Sequence, residues 1–251
     1  MSSGPEADLE IARSVVRIER EALDALSESL DASFSQAVDA IAGCGGYLIV
    51  AGVGKSGHVG QKIAATMAST GTPAFFLHPT EASHGDLGMV RPESVVLAIS
   101  YSGETRELID LLRYCRSHNV KLIAMTRSAD SLLGRNADIL LPLPAHEEAC
   151  PNGLAPTSST TMTLVMGDAL AVALMARRGF SKEDFGARHP GGKLGKALHT
   201  VADYLMSRDA APPIVPETAD LRDVIQAIAE GRQGCVAVVD ANGIYAGIVT
   251  D

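Results

Sequence analysis

A turn rich in hydroxyl side chains follows the third apolar run of the chain and could bind a phosphate group. The segment Ser100-Tyr-Ser-Gly-Glu-Thr105 places three hydroxyls and a glycine directly before a predicted helix. The start of a helix offers free N–H groups and partial positive charge, which favour an anion. A helix cap needs only one hydroxyl. The turn therefore favours a phosphomonoester held by Ser100, Ser102 and Thr105. The alternative is that Ser102 or Thr105 only caps the helix.

A glycine-rich turn, Gly52-Val-Gly-Lys-Ser-Gly57, follows the first apolar run and is a second candidate anion site. It matches the GxGxxG pattern of dinucleotide-binding proteins. A nicotinamide site, however, also needs an acidic residue near the end of the second strand, where the chain reads Leu77-His-Pro79. A Walker A loop is excluded as well, because it would need a glycine at position 49, where the chain has Ile49. The turn is then either a cradle presenting Lys55 and Ser56 to an anion or a tight turn that only starts a helix.

Candidate acids and bases follow the remaining apolar runs. His84 lies in a polar turn, Glu107 at a predicted helix start, Glu148 after the fifth run, and His189 in a glycine-rich loop after a long helix. A single His or Glu is more often a solvated surface residue. Together with Lys55 on one side of a sheet, these groups would suit proton transfer to and from a bound substrate.

Five short apolar runs without polar alternation predict parallel strands that are buried on both faces. They are Tyr47–Ala51, Ala74–Leu77, Val95–Ile99, Leu122–Met125 and Ile139–Leu141. Helical periodicity predicts helices before, between and after them, at Ile11–Leu30, Phe34–Ile41 with a stop at Gly45-Gly46, Ser56–Ser69, Thr105–Ser117, Ser131–Asn136 and Ser158–Ala176. The alternation predicts an α/β fold, a doubly wound, mainly parallel five-stranded sheet flanked by helices. Ligands in such sheets bind beyond the carboxyl ends of the strands, so the loops described above must form the site.

The sequence pattern changes from Val201 onward, where prolines at 212, 213 and 216 interrupt the chain, and it predicts a second module. A β–α–β–β fragment is expected there, with its helix at Leu221–Ala229 and a hairpin at Val236–Val239 and Ile244–Val249 joined by an Ala-Asn-Gly turn. We therefore assign residues 1–200 to the first domain and residues 201–251 to the start of a second module. We expect the remainder of that module to lie outside this sequence.

Composition limits the partners and the compartment. The 251 residues carry a formal net charge of −9, which would repel nucleic acid and anionic membranes, so a phosphate must be held by a local site. No basic recognition segment is visible, and no apolar run reads as long enough to cross a bilayer. The four cysteines form no CxxC pair, and the polar N-terminus is unlike a signal peptide. We expect a cytoplasmic protein without a nucleic-acid or membrane partner.

Seven motifs in order make the chain resemble the arabinose 5-phosphate isomerase family. They are Gly52-Val-Gly-Lys-Ser-Gly57, Ser69-Thr-Gly-Thr-Pro73, His84-Gly-Asp-Leu-Gly88, Ser100-x-Ser-Gly-Glu104, Glu148-Ala-Cys-Pro151, Leu154-Ala-Pro-Thr-Ser-Ser-Thr-Thr161 and His189-Pro-Gly-Gly192. The resemblance is dense from about Glu19 to Gly195 and continues into a first CBS motif. It implies a sugar-isomerase (SIS) domain followed by a pair of CBS motifs, of which the second is missing from this sequence. Thr250-Asp251 looks like the start of a nucleotide-contacting segment.

The resemblance also implies an activity and a set of site residues. The family interconverts D-ribulose 5-phosphate and D-arabinose 5-phosphate, a precursor of the lipopolysaccharide sugar 3-deoxy-manno-octulosonate. Motif positions implicate Lys55, Glu107, Glu148 and His189 in catalysis, and His84, Gly71 and Thr72 in substrate contact. His78 matches a position linked to inhibitory zinc. No metal or redox cofactor is otherwise expected. Related domains pair, which implies a homodimer or homotetramer in which a histidine from the His189 region reaches a neighbouring site.

The chemistry of an aldose–ketose isomerisation agrees with these residue types. The sugar ring must open, a proton must move between C1 and C2, and another must move between their oxygens through an enediolate. We assign the carbon-bound proton to Glu148, and the oxygens or ring opening to Glu107, His84 and His189. Lys55 would balance the developing negative charge. Two alternatives remain open at this stage: an isomerase of hexulose or heptose phosphates, or a sugar-phosphate sensor that binds without turnover.

Overall fold

The structure is a computed structural model that describes residues 4–189, 202 and 212–251. These residues form two compact units, one within 1–192 and the other within 193–251. The expected boundary at residue 200, and the Pro190-Gly191-Gly192 part of the last motif, lie outside the described residues. The two units are described separately.

A five-stranded parallel sheet forms the centre of the first unit. Its strands are β1 (Leu48–Gly52), β2 (Ala74–Leu77), β3 (Val95–Ile99), β4 (Lys121–Thr126) and β5 (Ile139–Pro142). They lie in the order β2-β1-β3-β4-β5, and every neighbouring pair is parallel. Strands β1 and β3 are buried along their whole length, which is why their sequences lack polar alternation. The predicted doubly wound sheet is confirmed.

Helices cover both faces of this sheet. They are α1 (Pro5–Glu28), α2 (Ala32–Ala42), α3 (Gly54–Ser69), α4 (Pro79–Ser83), α5 (Ile109–Ser117), α6 (Leu132–Asn136), α7 (Ser158–Arg178) and α8 (Lys182–Arg188), with 3-10 turns at Asp86–Met89 and Arg106–Leu108. Three details differ from the sequence prediction. Helix α2 ends at Ala42 with Gly43 as its C-cap, before Gly45-Gly46. The helix expected from Thr105 begins with the second 3-10 turn. Helices α4 and α8 were not predicted.

The core has one layer on each side of the sheet. On one side α1, α2, α3 and α7 pack around buried residues such as Leu26, Ile41 and Met166. On the other side α4, α5 and α6 cover residues such as Ile49 and Leu111. Consecutive residues of a strand point to opposite faces, so each strand contributes to both layers.

Helix α7 lies alongside α3 and runs in the same direction, from the carboxyl edge of the sheet to its amino edge. Gly167 lets the two helices approach closely, because a Cβ there would lie 2.4 Å from Cγ1 of Ile63. The Lys62–Asp168 ion pair joins the helices near their middle. Near the end of α7, Arg178 donates from Nη1 to the Gly71 carbonyl oxygen at 2.8 Å. A helix of 21 residues spans about 31 Å, so α7 crosses the unit from edge to edge.

Helix α7 also has the length and composition of a membrane-spanning helix, with 21 residues and an 18-residue stretch of mean hydropathy 1.4. This contradicts the expectation that no apolar run is long enough to cross a bilayer. The helix packs against α1, α2 and α3 and buries Met162, Met166 and Leu170 in the first core layer. The packing of α7 in the core accounts for its apolar composition.

The second unit contains a three-stranded sheet and a helix. Its elements are β6 (Ile214–Pro216), α9 (Leu221–Gly231), β7 (Cys235–Val239) and β8 (Tyr245–Thr250), and the strand order is β6-β7-β8. Strands β7 and β8 are antiparallel, as the predicted hairpin requires. Val215, Val224 and Val236 are its buried core. Strand β6 pairs with β7 in parallel and is the first strand of the expected β–α–β–β order, for which the sequence indicated no bounds.

Candidate functional site

The strand order places a crevice at the carboxyl ends of β1 and β3. The chain leaves β1 for β2 on one side and returns to β3 on the other, so the loops after β1 and β3 diverge there. Such a switch point is where doubly wound sheets bind ligands. The two turns that the sequence marked as anion sites are these two loops.

The turn after β1 brings Lys55 and Ser56 to the carboxyl edge. Gly57 is required by close backbone approach, because a Cβ on it would lie 2.7 Å from the Gly52 carbonyl oxygen. Gly54 has a φ of +59°, which favours glycine. Lys55 is exposed and Ser56 half-buried, and both lie in the first turn of α3. A cation thus lies at the positive end of a 16-residue helix, at the carboxyl edge of the sheet.

The turn after β3 is built by its own hydroxyls. Ser100 is 3 % exposed, and its Oγ accepts from the Gly103 N–H at 3.0 Å and bonds to Thr105 Oγ1 at 2.7 Å. Exposed Ser102 accepts from the Glu104 N–H at 3.2 Å. Thr105 stands at the cap position of the 3-10 turn, but its hydroxyl bonds to Ser100 and not to that turn. The geometry therefore disfavours the capping alternative. Ser100 therefore shapes the turn, whereas Ser102 is exposed and Thr105 is half-buried at its end.

Two contacts fix this turn to its neighbours. Glu104 Oε1 accepts from the Leu132 N–H at 3.0 Å, which anchors the turn to the start of α6. Gly103 has a φ of +75°, and a Cβ there would lie 2.0 Å from Ser131 Oγ. No other residue type fits at Gly103 without displacing α6, so the shape of the turn depends on this glycine.

The segment after β2 carries both sequence-predicted histidines of this region. His78 caps α4, and its Nδ1 accepts from the Thr80 N–H at 3.2 Å. His84 is exposed at the other end of α4. Helix α4 packs against α5 and against the 3-10 turn that carries exposed Glu107, and Ser83 Oγ donates to Asp110 at 3.0 Å. His84 and Glu107 therefore lie on neighbouring elements at the carboxyl edge.

His78 is poorly prepared to bind zinc in this conformation. A metal on Nε2 of a neutral imidazole requires the ring proton on Nδ1, where it usually donates to a second partner. Nδ1 of His78 instead accepts a hydrogen bond. Among the residues that the structure describes, no three His, Cys, Asp or Glu side chains are grouped as a metal site. Zinc inhibition through His78 stays a prediction.

The Glu148 carboxylate lies at the start of α7. Its Oε2 accepts from the Thr157 N–H at 2.6 Å, the Thr157 hydroxyl at 3.0 Å and the Ser159 N–H at 3.3 Å. Burial alone would raise the pKa of Glu148, but the hydrogen bonds from Ser159 and Thr157 together outweigh it and lower that pKa. Glu148 is therefore ionised at neutral pH and can accept a proton.

Tyr101 connects the Glu148 loop to the turn after β3. Its hydroxyl donates to the Pro144 carbonyl oxygen at 3.1 Å and accepts from the His146 N–H at 3.2 Å. The segment between β5 and Glu148 is thereby held beside the turn after β3, Ser100–Thr105, which we call the hydroxyl turn. The sequence did not indicate this role. Tyr101 lies inside the hydroxyl motif, but nothing in the sequence shows which backbone its ring reaches.

Gly71, Thr72 and His189 lie away from these groups, near the amino edge of the sheet. Gly71 and Thr72 precede β2, and Arg178 at the end of α7 binds both, with 2.7 Å from Nη1 to Thr72 Oγ1. The His189 ring stacks on Phe185 at 3.9 Å. This arrangement differs from the expectation that His189 would share one side of the sheet with Lys55 and Glu148. The cause is α7, which carries the chain from one edge to the other.

Family models match both parts of the chain. A SIS domain model matches residues 43–173, and a CBS domain model matches residues 201–251. The arabinose 5-phosphate isomerase KdsD of Yersinia pestis is 49 % identical over 249 residues, which cover 98 % of this chain and 76 % of the relative. The arabinose 5-phosphate isomerase KpsF of Escherichia coli CFT073 is 48 % identical over 231 residues, 92 % of this chain and 70 % of the relative.

A solved structure shares the fold at substantial identity. It is a protein of E. coli CFT073 in complex with A5P, with a TM-score of 0.73 and 40 % sequence identity, and the match covers 75 % of this chain and all of that one. At this identity the likeness extends beyond the fold of the first unit to its sequence.

Proposed function

The chain belongs to the arabinose 5-phosphate isomerase family, and we propose that it interconverts D-ribulose 5-phosphate and D-arabinose 5-phosphate. The observation that carries this proposal is the 49 % identity to an enzyme of that name along 98 % of the chain. The carboxyl edge supports it, because the edge offers a cation, hydroxyls and an ionised carboxylate together. The product would supply 3-deoxy-manno-octulosonate for lipopolysaccharide.

Glu148 is the group that we assign to the carbon-bound proton. Isomerisation through an enediolate needs a base that is unprotonated at neutral pH and held in one place. The lowered pKa of Glu148 meets the first need, although it also makes the carboxylate a weaker base. Its three hydrogen bonds at the start of α7 meet the second. Glu107 and His84 then serve the two oxygens or ring opening from the opposite side of the crevice.

Charge is balanced by groups from the two turns. Ser102 and Thr105 would bind the phosphate, next to the start of the helical segment that follows them. Lys55 and Ser56 would face the reacting end of the sugar, where Lys55 stabilises the negative charge of the enediolate. The reaction moves protons only, so no metal or redox cofactor is needed. We place it in the cytoplasm, without a nucleic-acid or membrane partner, as the net charge of −9 favours.

We also propose that two subunits complete each site. In one chain Glu148 lies at the start of α7, whereas Gly71 and Thr72 bind Arg178 at its other end, about 31 Å along the helix, and His189 follows that end after α8. A second copy related by a two-fold axis could bring its own amino-edge group to the carboxyl edge of the first, and the reverse. A homodimer, or a homotetramer built from such dimers, would then have two shared sites per pair.

The reaction itself is tested with purified protein and D-ribulose 5-phosphate. We expect the NMR spectrum to show D-arabinose 5-phosphate as the product, because Glu148 can return the proton at C2 to the enediolate. Hexulose and heptose phosphates serve as controls and should turn over far more slowly. Faster conversion of one of them, or binding of all of them without turnover, would contradict the proposal.

The phosphate assignment is tested by removing two hydroxyls, Ser102→Ala with Thr105→Ala. A hydrogen bond to a charged group contributes about 1.5–3 kcal/mol, so KM should rise at least about tenfold. Ser128→Ala is the matched control, because Ser128 Oγ accepts from the N–H two residues on at 3.2 Å, as Ser102 does. An unchanged KM in the double variant, with circular dichroism like the parent, would place the phosphate elsewhere.

Shared sites are tested by mixing two inactive variants, His189→Ala and Glu148→Gln. In a mixed dimer one site receives both substitutions and the other receives neither. Random exchange between equal amounts should therefore restore about a quarter of the parent activity. Native mass spectrometry checks that subunits exchange. Exchanged subunits that recover no activity would mean that each site is built within one chain.

A further inference from the structure

Thr157 contacts the Glu148 loop through three hydrogen bonds. Its N–H and its hydroxyl both donate to Glu148 Oε2, at 2.6 and 3.0 Å. Its Oγ1 also accepts from the Ala149 N–H at 2.7 Å. A threonine hydroxyl has one proton to donate. Because the Ala149 N–H occupies a lone pair of Oγ1, the hydroxyl proton is left to point at Glu148.

We propose that Thr157 is the positioning residue for the Glu148 carboxylate. The closed chain from the Ala149 N–H through Oγ1 to Oε2 fixes the rotation of the carboxylate. All three hydrogen bonds to Glu148 end on Oε2, so Oε1 takes part in none of them. Oε1 is then the oxygen that faces the proton of the substrate. The assignment of Oε1 to the substrate rests on the proposed function, whereas the fixing of the carboxylate does not.

Helix capping does not account for the Thr157 hydroxyl. Thr157 is at the N-cap position of α7, but its side chain does not bond to the N–H groups of the first turn in the described structure. Glu148 takes the Ser159 N–H instead and acts as the capping acceptor. A valine would have nearly the same shape as Thr157 and would keep the backbone N–H bond to Glu148. A substitution that removes only the Thr157 hydroxyl should therefore leave the first turn of α7 intact.

Charged neighbours do not account for the ionisation of Glu148 either. Helix α1 lines the cleft beside Glu148 with Ile11, Ser14, Val15 and Ile18, none of which is charged. Glu147 and Cys150 are the other titratable groups lining it, and both belong to the loop of Glu148. Glu19 of α1 binds the Thr161 hydroxyl at 3.0 Å. The lowered pKa of Glu148 comes from the hydrogen bonds of Ser159 and Thr157, acting against burial.

The experiment compares Thr157→Val with Thr157→Ser, which keeps the hydroxyl. Thr161→Val is the matched control, because it removes a hydroxyl bond to a carboxylate in the same first turn, but that carboxylate is Glu19. The 251-residue protein carries 13C-labelled glutamate, and the Glu148 signal is assigned by its loss in Glu148→Gln. Two quantities are measured: the pH at which the Glu148 signal titrates, and kcat and KM as functions of pH.

Removing the hydroxyl should raise the pKa of Glu148, because a bond that favours the charged form is lost. The midpoint of the Glu148 titration should therefore move to higher pH in Thr157→Val. Glu148 stays ionised at pH 7 in the variant, so a fall in kcat there would come from a displaced carboxylate. We expect kcat to fall about tenfold at unchanged KM in Thr157→Val, and both effects to be absent in Thr157→Ser and Thr161→Val.

A Glu148 midpoint in Thr157→Val equal to that of the parent would overturn the inference. So would a loss of kcat that Thr157→Ser does not rescue or that Thr161→Val reproduces, because such a loss would be a general effect on α7. A shifted midpoint in Thr157→Val, with a fully active Glu148→Gln, would leave the positioning role standing. That result would contradict only the catalytic role of Glu148 in the proposed function.

Discussion

The contact between the Glu148 carboxylate and the start of α7 determines how the site can work. The first N–H groups of any helix lack partners within the helix and need acceptors from outside. In this chain a carboxylate supplies one, and its negative charge is favoured at the positive end of a long helix. Helix α7 is in turn held by core residues such as Met162 and Leu170. The position of the candidate base Glu148 is therefore fixed by a helix that packs in the hydrophobic core, although Glu148 itself lies in a loop.

The same helix divides the candidate residues into two groups. Its start lies with Lys55, the hydroxyl turn and Glu148, and its end binds Gly71 and Thr72 through Arg178. A rigid element of this length keeps the groups apart in any conformation of the folded unit. Arg178 was missed by the sequence analysis, because its partners are 107 and 106 residues away along the chain. In the proposed assembly, the residues at the end of α7 in one copy lie beside the residues at its start in the other. Such an arrangement would bring both groups into one site despite the length of the helix.

Hydrophobic patterning predicted the sheet well, because strands buried on both faces must be apolar throughout. The loops after β1, β3 and β5 could be predicted as the site for the same reason, since parallel strands end at one edge. What the sequence did not reveal are pairings set by three-dimensional packing. Tyr101 bonds to the backbone at Pro144 and His146. The edge of the sheet at which His189 lies depends on the direction in which α7 runs. Helix α4 was missed although Pro79 after His78 is a normal helix start.

Deuterium exchange at C2 of D-arabinose 5-phosphate in D2O tests most directly whether Glu148 moves the carbon-bound proton. The parent protein should exchange C2 hydrogen for deuterium, seen as loss of its proton NMR signal. A positioned general base typically accelerates a step by about 10²–10⁴-fold, so Glu148→Gln should slow exchange by at least about a hundredfold while substrate binding persists. Exchange at the parent rate in Glu148→Gln would contradict the account and direct attention to Glu107.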